Sequence, residues 1–459
     1  MRATPAVKAS ALARRRQSAK HDFFYAIRAL KSRNYRLFFA GQGVSLTGTR
    51  MQQIAMTWFV YKELTGESPF ALGLIAFCSQ IPNFFLAPLG GVIADRADKH
   101  KLIIALQACE MLQAIILTTI VFAGVAQLWH IVVLSLWMGV VGAFETPIRQ
   151  SFVVVMVGNK EDLPNAIALN STLFNGARLI GPSLAGLMIA KWGVGVCFAS
   201  NAISYFAVLA ALIAMKPPPH VRAKKQSRFW RHLWEGVEYT ASHKSIRTIL
   251  LLLLASSLIA MPYITLLAVF ADKVIGGGAT TFGYLTGAVG IGALAGAVFL
   301  ATMRGAAKLA GVISTTTFLF GISLILFSLS SNMAVSLALM MMTGFAMMTQ
   351  VASCNTLVQT IVDDDKRGRV MSHYVMIFIG IGPVGSLAAG WIAEHIGAPL
   401  TVGITGTLTL ILGALMHRRL RAIGVAIKRM KKDTPSRQSQ TAVAVGRSIV
   451  ETEGKTPVG

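Results

Sequence analysis

From about residue 37 the chain alternates between long apolar runs and short polar interruptions, and the runs set its architecture. A stretch of about 20 apolar residues is the bilayer-spanning signature, because a helix rises about 1.5 Å per residue through a hydrocarbon layer about 30 Å thick. Such stretches predict spans at 37–62, 70–94, 102–124, 128–150, 166–190, 195–215, 246–271, 281–303, 309–330, 333–357, 371–394 and 399–417. The result is an all-α integral membrane protein of twelve helices. A helix suits this place because it satisfies its own backbone groups where lipid offers no partner. The runs divide the chain into a tail over 1–36, a six-helix bundle over 37–215, a linker over 216–245, a second bundle over 246–417 and a tail over 418–459.

The bundles repeat one another. GARLIGPSLAGLMIAKWG (176–193) superposes on GIGPVGSLAAGWIAEHIG (380–397) at an offset of 204, which lays Gly176, Gly181, Ala185, Gly186 and Gly193 on Gly380, Gly385, Ala389, Gly390 and Gly397. The fifth span thus falls on the eleventh. Repeats of this kind underlie many secondary transporters, whose substrate cavity lies between the halves.

Composition agrees. The chain is 54% apolar and 14% charged, with mean hydropathy +0.61, whereas soluble domains carry about 25% charged residues. The net charge of +24 would suggest a nucleic-acid binder, but its placement says otherwise. With both termini cytoplasmic, 38 of the 43 Lys and Arg fall on one side of the bilayer, and only Lys62, Lys191 and Lys273 on the other. That is the positive-inside pattern, with an attraction to anionic lipid head groups. No basic face interleaved with aromatics forms a nucleic-acid site. The first 36 residues have no apolar core of signal-peptide type, and the tail beyond about residue 420 has the Lys/Arg/Ser/Thr-rich composition of disordered chain. In the linker, Phe229, Leu233, Val237 and Ala241 repeat beside Trp230 and Trp234, predicting an amphipathic helix on the inner surface. Cys78, Cys109, Cys197 and Cys354 all fall inside spans and are expected as free thiols.

The interruption between the second and third spans reads GGVIADRADKHKLI (90–103) and holds five charges. Its core, Gly91 through Asp95-Arg96 to Asp98-Lys99-His100-Lys101, resembles the signature of the major facilitator superfamily, with lysine and histidine in place of the usual closing arginines. NYRLFFAGQGVSLTGTRMQQIAMTWFVYKELTGESPFALGL, FETPIRQSF, EDLPNAIALNSTLFNGARLIGPSLAG and KRGRVMS are similar to the bacterial branch that contains the enterobactin exporter and macrolide-efflux proteins, the transmembrane secretion effectors. The resemblance covers nearly all of 30–417 and implies a major facilitator fold. It also implies a cytoplasmic latch in which Asp95 faces the positive end of the eleventh helix. Arg96, Lys99, Lys101 and Arg149 would pair with acids such as Asp363, Asp364 and Asp365, biasing a two-state equilibrium. The alternative is a plain positive-inside loop with a helix-ending acid. Gly176, Gly181, Pro182, Ala185 and Gly186 resemble the antiporter-associated motif of the superfamily, although Ala185 stands where that motif has glycine. Small residues let helices approach closely, and Pro182 is expected to bend its helix. Ordinary close packing explains the same residues.

Charges within spans cost on the order of 3 kcal/mol each on insertion scales, so they should face the interior or a wet cavity. Glu110 is the first candidate for a proton-exchanging carboxylate and Glu145 the second, although Glu145 and Arg149 are spaced to form a simple i,i+4 pair. Arg50 and Arg178 suit either an anionic substrate or partnership with these glutamates. Gln42, Ser45, Thr49 and Gln53 accompany Arg50 along the first span, Gln80 and Asn83 lie in the second, and Gln350 and Asn355 in the tenth, as candidate cavity walls. Met340, Met341, Met342, Met347 and Met348 offer a pliable apolar surface or simple packing.

No phosphate loop and no His-Glu-x-x-His zinc motif occurs, so neither an enzyme nor a metal site is expected. The sequence predicts a monomeric carrier of the bacterial cytoplasmic membrane, without a cofactor, driven by the proton gradient. It would export a small amphipathic compound, a drug or a siderophore. Importer, lipid-handling carrier and non-transporting sensor remain as alternatives.

Overall fold

A computed structural model describes residues 28–157, 160–216, 237–303 and 305–453, without the side chains of residues 88, 91, 92, 94–96, 160 and 306 or of those beyond 427. Among the described residues, twelve long helical segments follow in order. The first six are α1 (Arg33–Phe59), α2 (Pro69–Arg96), α3 (Lys99–Phe122), α4 (Leu128–Met156), α5 (Leu163–Trp192) and α6 (Val194–Ile213). The second six are α7 (Lys244–Val274), α8 (Gly278–Thr302), α9 (Ala306–Ser328), α10 (Met333–Ile361), α11 (Arg367–Ile396) and α12 (Ala398–Glu453).

Among the described residues, 11 helices are long and apolar enough to cross a membrane, and α1 is not one of them. Its 27 residues span about 40 Å, but Gln42, Ser45, Thr49, Arg50, Gln52 and Gln53 lower its hydropathy. It nevertheless packs between α5 and α6 within the first bundle.

Local chemistry fixes the helix ends. Ser68 caps α2 by accepting from the Ala71 amide at 3.3 Å, with Pro69 at the first helical position. Asp98 caps α3, accepting from the amides of His100 and Lys101 at 3.0 and 3.3 Å. One of the five charges between the second and third spans is thus a helix cap. The turn that follows α1 (Val60–Leu64) and the last turn of α7 (Phe270–Val274) both widen into π-helix, an echo of the six-helix repeat. Helix α5 runs unbroken through Pro182, whereas α11 is interrupted at Ile381, just before Pro383.

The expected disordered tail is corrected at its start. Helix α12 continues past residue 417, and Leu420, Ile423 and Ile427 bury against Leu309 and Ala310 of α9. These apolar residues recur at helical spacing among the basic ones, so the stripe extends the bundle's core. The backbone stays helical to Glu453. Most of the predicted amphipathic linker helix, including Phe229, Trp230, Leu233 and Trp234, lies outside the described residues.

Three apolar cores hold the bundles together, and their distribution defines the conformation. One core joins both halves, with Trp58, Phe59 and Phe198 from the first and Phe270, Phe282 and Phe327 from the second. The other two are separate. Tyr35, Phe152, Tyr205 and their neighbours belong wholly to the first half, and Ile249, Leu357, Tyr374 and theirs to the second. The halves are therefore fused at the end holding the α1–α2 and α7–α8 turns. At the opposite end, which carries the basic connections and both ends of the bundle, they stand apart.

Candidate functional site

The fused end closes through backbone approach. Gly186 of α5 meets Gly283 of α8, and a Cβ built on Gly186 would stand 2.8 Å from the Ala279 carbonyl oxygen and 3.1 Å from Gly283 Cα. The repeat reproduces the contact between Gly390 of α11 and Gly73 of α2, where a Cβ on Gly390 would stand 2.6 Å from the Pro69 carbonyl oxygen. Only residues without side chains allow helices this close.

Polar contacts lie outside these two crossings. Lys62 Nζ bonds Asp272 Oδ2 at 2.8 Å, and Lys273 Nζ pairs with Glu67 Oε2 at 3.2 Å, so two ion pairs of opposite sense link the halves. Lys62 also pairs with Glu67. Glu394 of α11 accepts from the Ser68 hydroxyl at 2.8 Å and the Phe70 amide at 3.0 Å, placing its carboxylate at the positive N-terminus of α2.

The first half holds a buried amide network. Gln52 is fully buried; its Nε2 donates to Gln113 Oε1 at 2.9 Å and its Oε1 accepts from Asn201 Nδ2 at 2.8 Å. Ser204 donates to Asn201 Oδ1 at 3.1 Å. Next to this network, Glu110 accepts from Gln107 Nε2 at 3.0 Å and lies beside the Tyr205 hydroxyl. Tyr205 is in turn 3.2 Å from Thr49 Oγ1 of α1. A polar chain therefore runs from Glu110 through Tyr205 to the helix that carries Arg50.

Glu145 and Arg149 form the expected pair on α4, Oε1 to Nε at 2.8 Å, only 8% and 6% exposed, with the guanidinium 4.1 Å from the Phe174 ring centroid. Arg50 and Arg178 stand where α5 meets α8 of the other half. Arg50 donates to Gln53 Oε1 at 2.8 Å, and Arg178 is exposed and lies within electrostatic reach of Tyr263 of α7. At the open end, a cavity of about 600 Å³ is lined by Ala352, Asn355, Thr356, Gln359 and Thr360 of α10 and by Arg367 of α11.

Residues 26–452 match the family model described as a transmembrane secretion effector. The chain belongs to that family. It is a major facilitator transporter. It is 27% identical to the staphyloferrin A transporter of Staphylococcus aureus over 83% of its own length and 95% of that protein's. It is 23% identical to macrolide efflux protein A of Streptococcus pyogenes, again over 83% and 95% of the two chains. Among solved structures, the nucleoside transporter NupG matches with a TM-score of 0.65 at 14% identity, over 84% of this chain and 98% of that one.

The transporter places its predicted residues unevenly. Arg50 and Gln53 are half-buried on α1, Arg178 is exposed on α5, and Asn355 lines the cavity at the open end. Gln80 is exposed one turn before Phe84, which meets Gly380 of the other half. Gln42, Ser45 and Gln350 do not line the cavity. Gln42 and Ser45 are buried within the first bundle. Gln350 is 1% exposed, donating to Thr317 at 2.7 Å and Ser256 at 3.2 Å within the second. Amides in an apolar bundle find partners on neighbouring helices, which turns them inward. Asn83 turns to Gly142 of α4. Thr49 contacts Tyr205 instead of the cavity.

In the expected latch, Gly91, Asp95 and Arg96 lie outside the described side chains. Arg149 is committed to Glu145, Asp363 accepts from the Tyr239 hydroxyl at 2.8 Å, Asp364 pairs with Arg367, and Asp365 pairs with Lys366 at 3.3 Å. These partners belong to the same half or the adjoining linker. With the halves apart at this end, partners within one half are the nearer ones. Of the motif glycines, Gly181 seats Arg50 and Gly186 forms the closure, while Gly176 faces no neighbour. The sequence reading missed Gly73, Gly283, Lys62, Asp272 and Glu394. Their only sequence signals were glycines in apolar runs and charges at span ends, neither of which names a partner.

Proposed function

We propose that this transporter exports a small amphipathic compound, a drug or a siderophore, across the bacterial cytoplasmic membrane in exchange for protons. The Lys- and Arg-rich connections support an orientation with the open end and both termini in the cytosol. The observation that carries the reading is the single core joining the halves at one end against two separate cores at the other. Such an arrangement holds a basin open to the cytosol, and rocking about it gives alternating access.

Glu110 is the proton carrier in this scheme. Its carboxylate is bound by an amide and lies beside a phenol, whereas Glu145 is held by Arg149. Tyr205 and Thr49 connect Glu110 to α1, so loading a proton there can alter the wall of the basin. One chain contains the whole pathway, and the unit of transport is the monomer.

The test is compound accumulation in a pump-deficient bacterial host carrying the intact protein, Glu110→Gln or the empty vector, with proton movement followed in inverted vesicles. The intact protein should lower accumulation of at least one compound and release lumenal protons when it is added. Glu110→Gln should lose the proton-driven part. Equal accumulation in all three strains would refute export, and full proton-coupled flux in Glu110→Gln would remove Glu110 from the scheme.

A further inference from the structure

Arg50 and Arg178 stand together where α5 meets α8 of the other half, with no acid among the described residues to neutralise them. Gly181 brings this about, since its missing side chain seats Arg50 Cβ against α5, and Arg178 lies one turn earlier on the same helix. The charged neighbours of Arg50 are Arg178 and Arg149, both cations, and Arg149 already has Glu145. Among the described residues no carboxylate lies within ion-pair distance of either arginine. Glu110 has Glu145 and Arg149 as its charged neighbours instead. From the opposite half comes Tyr263, 1% exposed, its hydroxyl without a hydrogen-bond partner and within electrostatic reach of Arg178.

We propose that Arg50, Arg178 and Tyr263 form an anion subsite in the transport basin and that the cargo is a small organic acid held there by its carboxylate. The inference rests on the reading of the chain as a carrier, and it narrows the cargo. Two uncompensated cations at this depth are costly in the empty protein, and a bound anion removes that cost. Guanidinium groups are donors only and match the planar carboxylate with paired bonds. The Tyr263 hydroxyl supplies a third donor from the other half, so an anion bound here bridges both halves. A cationic compound would meet repulsion at the same place.

The experiment measures binding to the purified full chain in lipid nanodiscs, by thermal shift and by intrinsic fluorescence. The probes are citrate, salicylate, the neutral salicylamide and the lipophilic cation tetraphenylphosphonium. At least one carboxylate should stabilise the intact protein, and salicylamide should bind more weakly than salicylate. Arg50→Gln and Arg178→Gln should each raise the dissociation constant of that carboxylate about tenfold or more, the loss expected for one charge-assisted contact. Arg178→Lys should keep part of the affinity, and Tyr263→Phe should lower it while leaving the ligand-free melting point near that of the intact protein. If a glutamine variant fails to fold, Arg178→Lys and Tyr263→Phe carry the test.

The proposal is overturned if neither carboxylate binds, if binding is indifferent to these substitutions, or if tetraphenylphosphonium binds as tightly as the carboxylates. Flux in proteoliposomes separates the two claims. Arginine-dependent carboxylate binding without flux removes only the carrier reading. Flux of the cation that is unchanged by Arg178→Gln removes only the anion subsite.

Discussion

Replacing Gly186 by alanine tests the closure most directly. The new Cβ would stand 2.8 Å from the Ala279 carbonyl oxygen, 3.1 Å from Gly283 Cα and 3.2 Å from Thr280 Cα. All three are backbone atoms, so no side chain can swing aside, and α5 and α8 must part by roughly half an ångström to restore ordinary contact. Overpacking of this kind costs about 1–3 kcal/mol. The cost falls on the closed state alone, because the two helices separate when that end opens. A shift of this size changes the open-to-closed ratio by about 5- to 150-fold.

The assay uses Phe282→Cys in a background lacking Cys78, Cys109, Cys197 and Cys354. Phe282 is 2% exposed and stacks on Trp58 across the halves, with ring centroids 6.2 Å apart. A membrane-impermeant maleimide reaches position 282 only through the open closure, so its labelling rate follows the open population while that population is small. Adding Gly186→Ala should raise the rate by the factor above and slow transport. An unchanged labelling rate with an unchanged melting point would show that the crossing has slack and that the glycines do not set the equilibrium.

The ion pairs at the same end predict a pH effect. Lys62 and Lys273 hold the Glu67 carboxyl below its ordinary value, so its contribution to closure is complete above the usual carboxylate pKa of about 4.3 and is lost as pH falls through the depressed value. Labelling at position 282, divided at each pH by the rate of a fully exposed cysteine so that the fall in thiolate cancels, should therefore be flat from neutral pH down to roughly pH 4 and rise below it, with Glu67→Gln removing the rise. For the buried α4 pair, Arg149→Met alone strands the Glu145 charge and should cost about 3–5 kcal/mol in stability, while Glu145→Leu with Arg149→Met should cost much less. Thermal unfolding of the single and double variants in the same detergent measures the difference. Gln52→Leu should cost about 1–3 kcal/mol by orphaning Gln113 and Asn201, read as a lower melting point.

The spans were legible in the sequence because each needs only local hydropathy. The tenth span, expected at 333–357, is Met333–Ile361, and the seventh, expected at 246–271, is Lys244–Val274. The repeat was legible as well, and it singled out Gly186 and Gly390 before their contacts were known. Their partners Gly283 and Gly73 were not, since a glycine in an apolar run carries no mark of which helix crosses it. The same holds for Lys62 and Asp272, which meet across 210 residues of chain. The sequence grouped Gln42, Ser45, Thr49, Arg50 and Gln53 of α1 as one polar stripe of candidate cavity wall. At 3.6 residues per turn, Gln52 faces α3 and α6 while Arg50 and Gln53 bond each other, with Arg50 seated against α5. Only the packed bundle divides the stripe in this way. Arg50 and Arg178 had two possible partners in the sequence, and the structure leaves them apart from both glutamates.

The lopsided sharing of aromatic rings has a kinetic consequence. Parting Trp58 from Phe282 and wetting the surfaces around them must be offset before the molecule can turn over, whereas the wide mouth needs no such work to receive a visitor. If that mouth looks into the cell, an unladen molecule waits where an intracellular compound can collide with it at once. The slow leg of its cycle is then the flip that carries cargo past the greasy hinge, and faster catalysts of this design should emerge from trimming rings there.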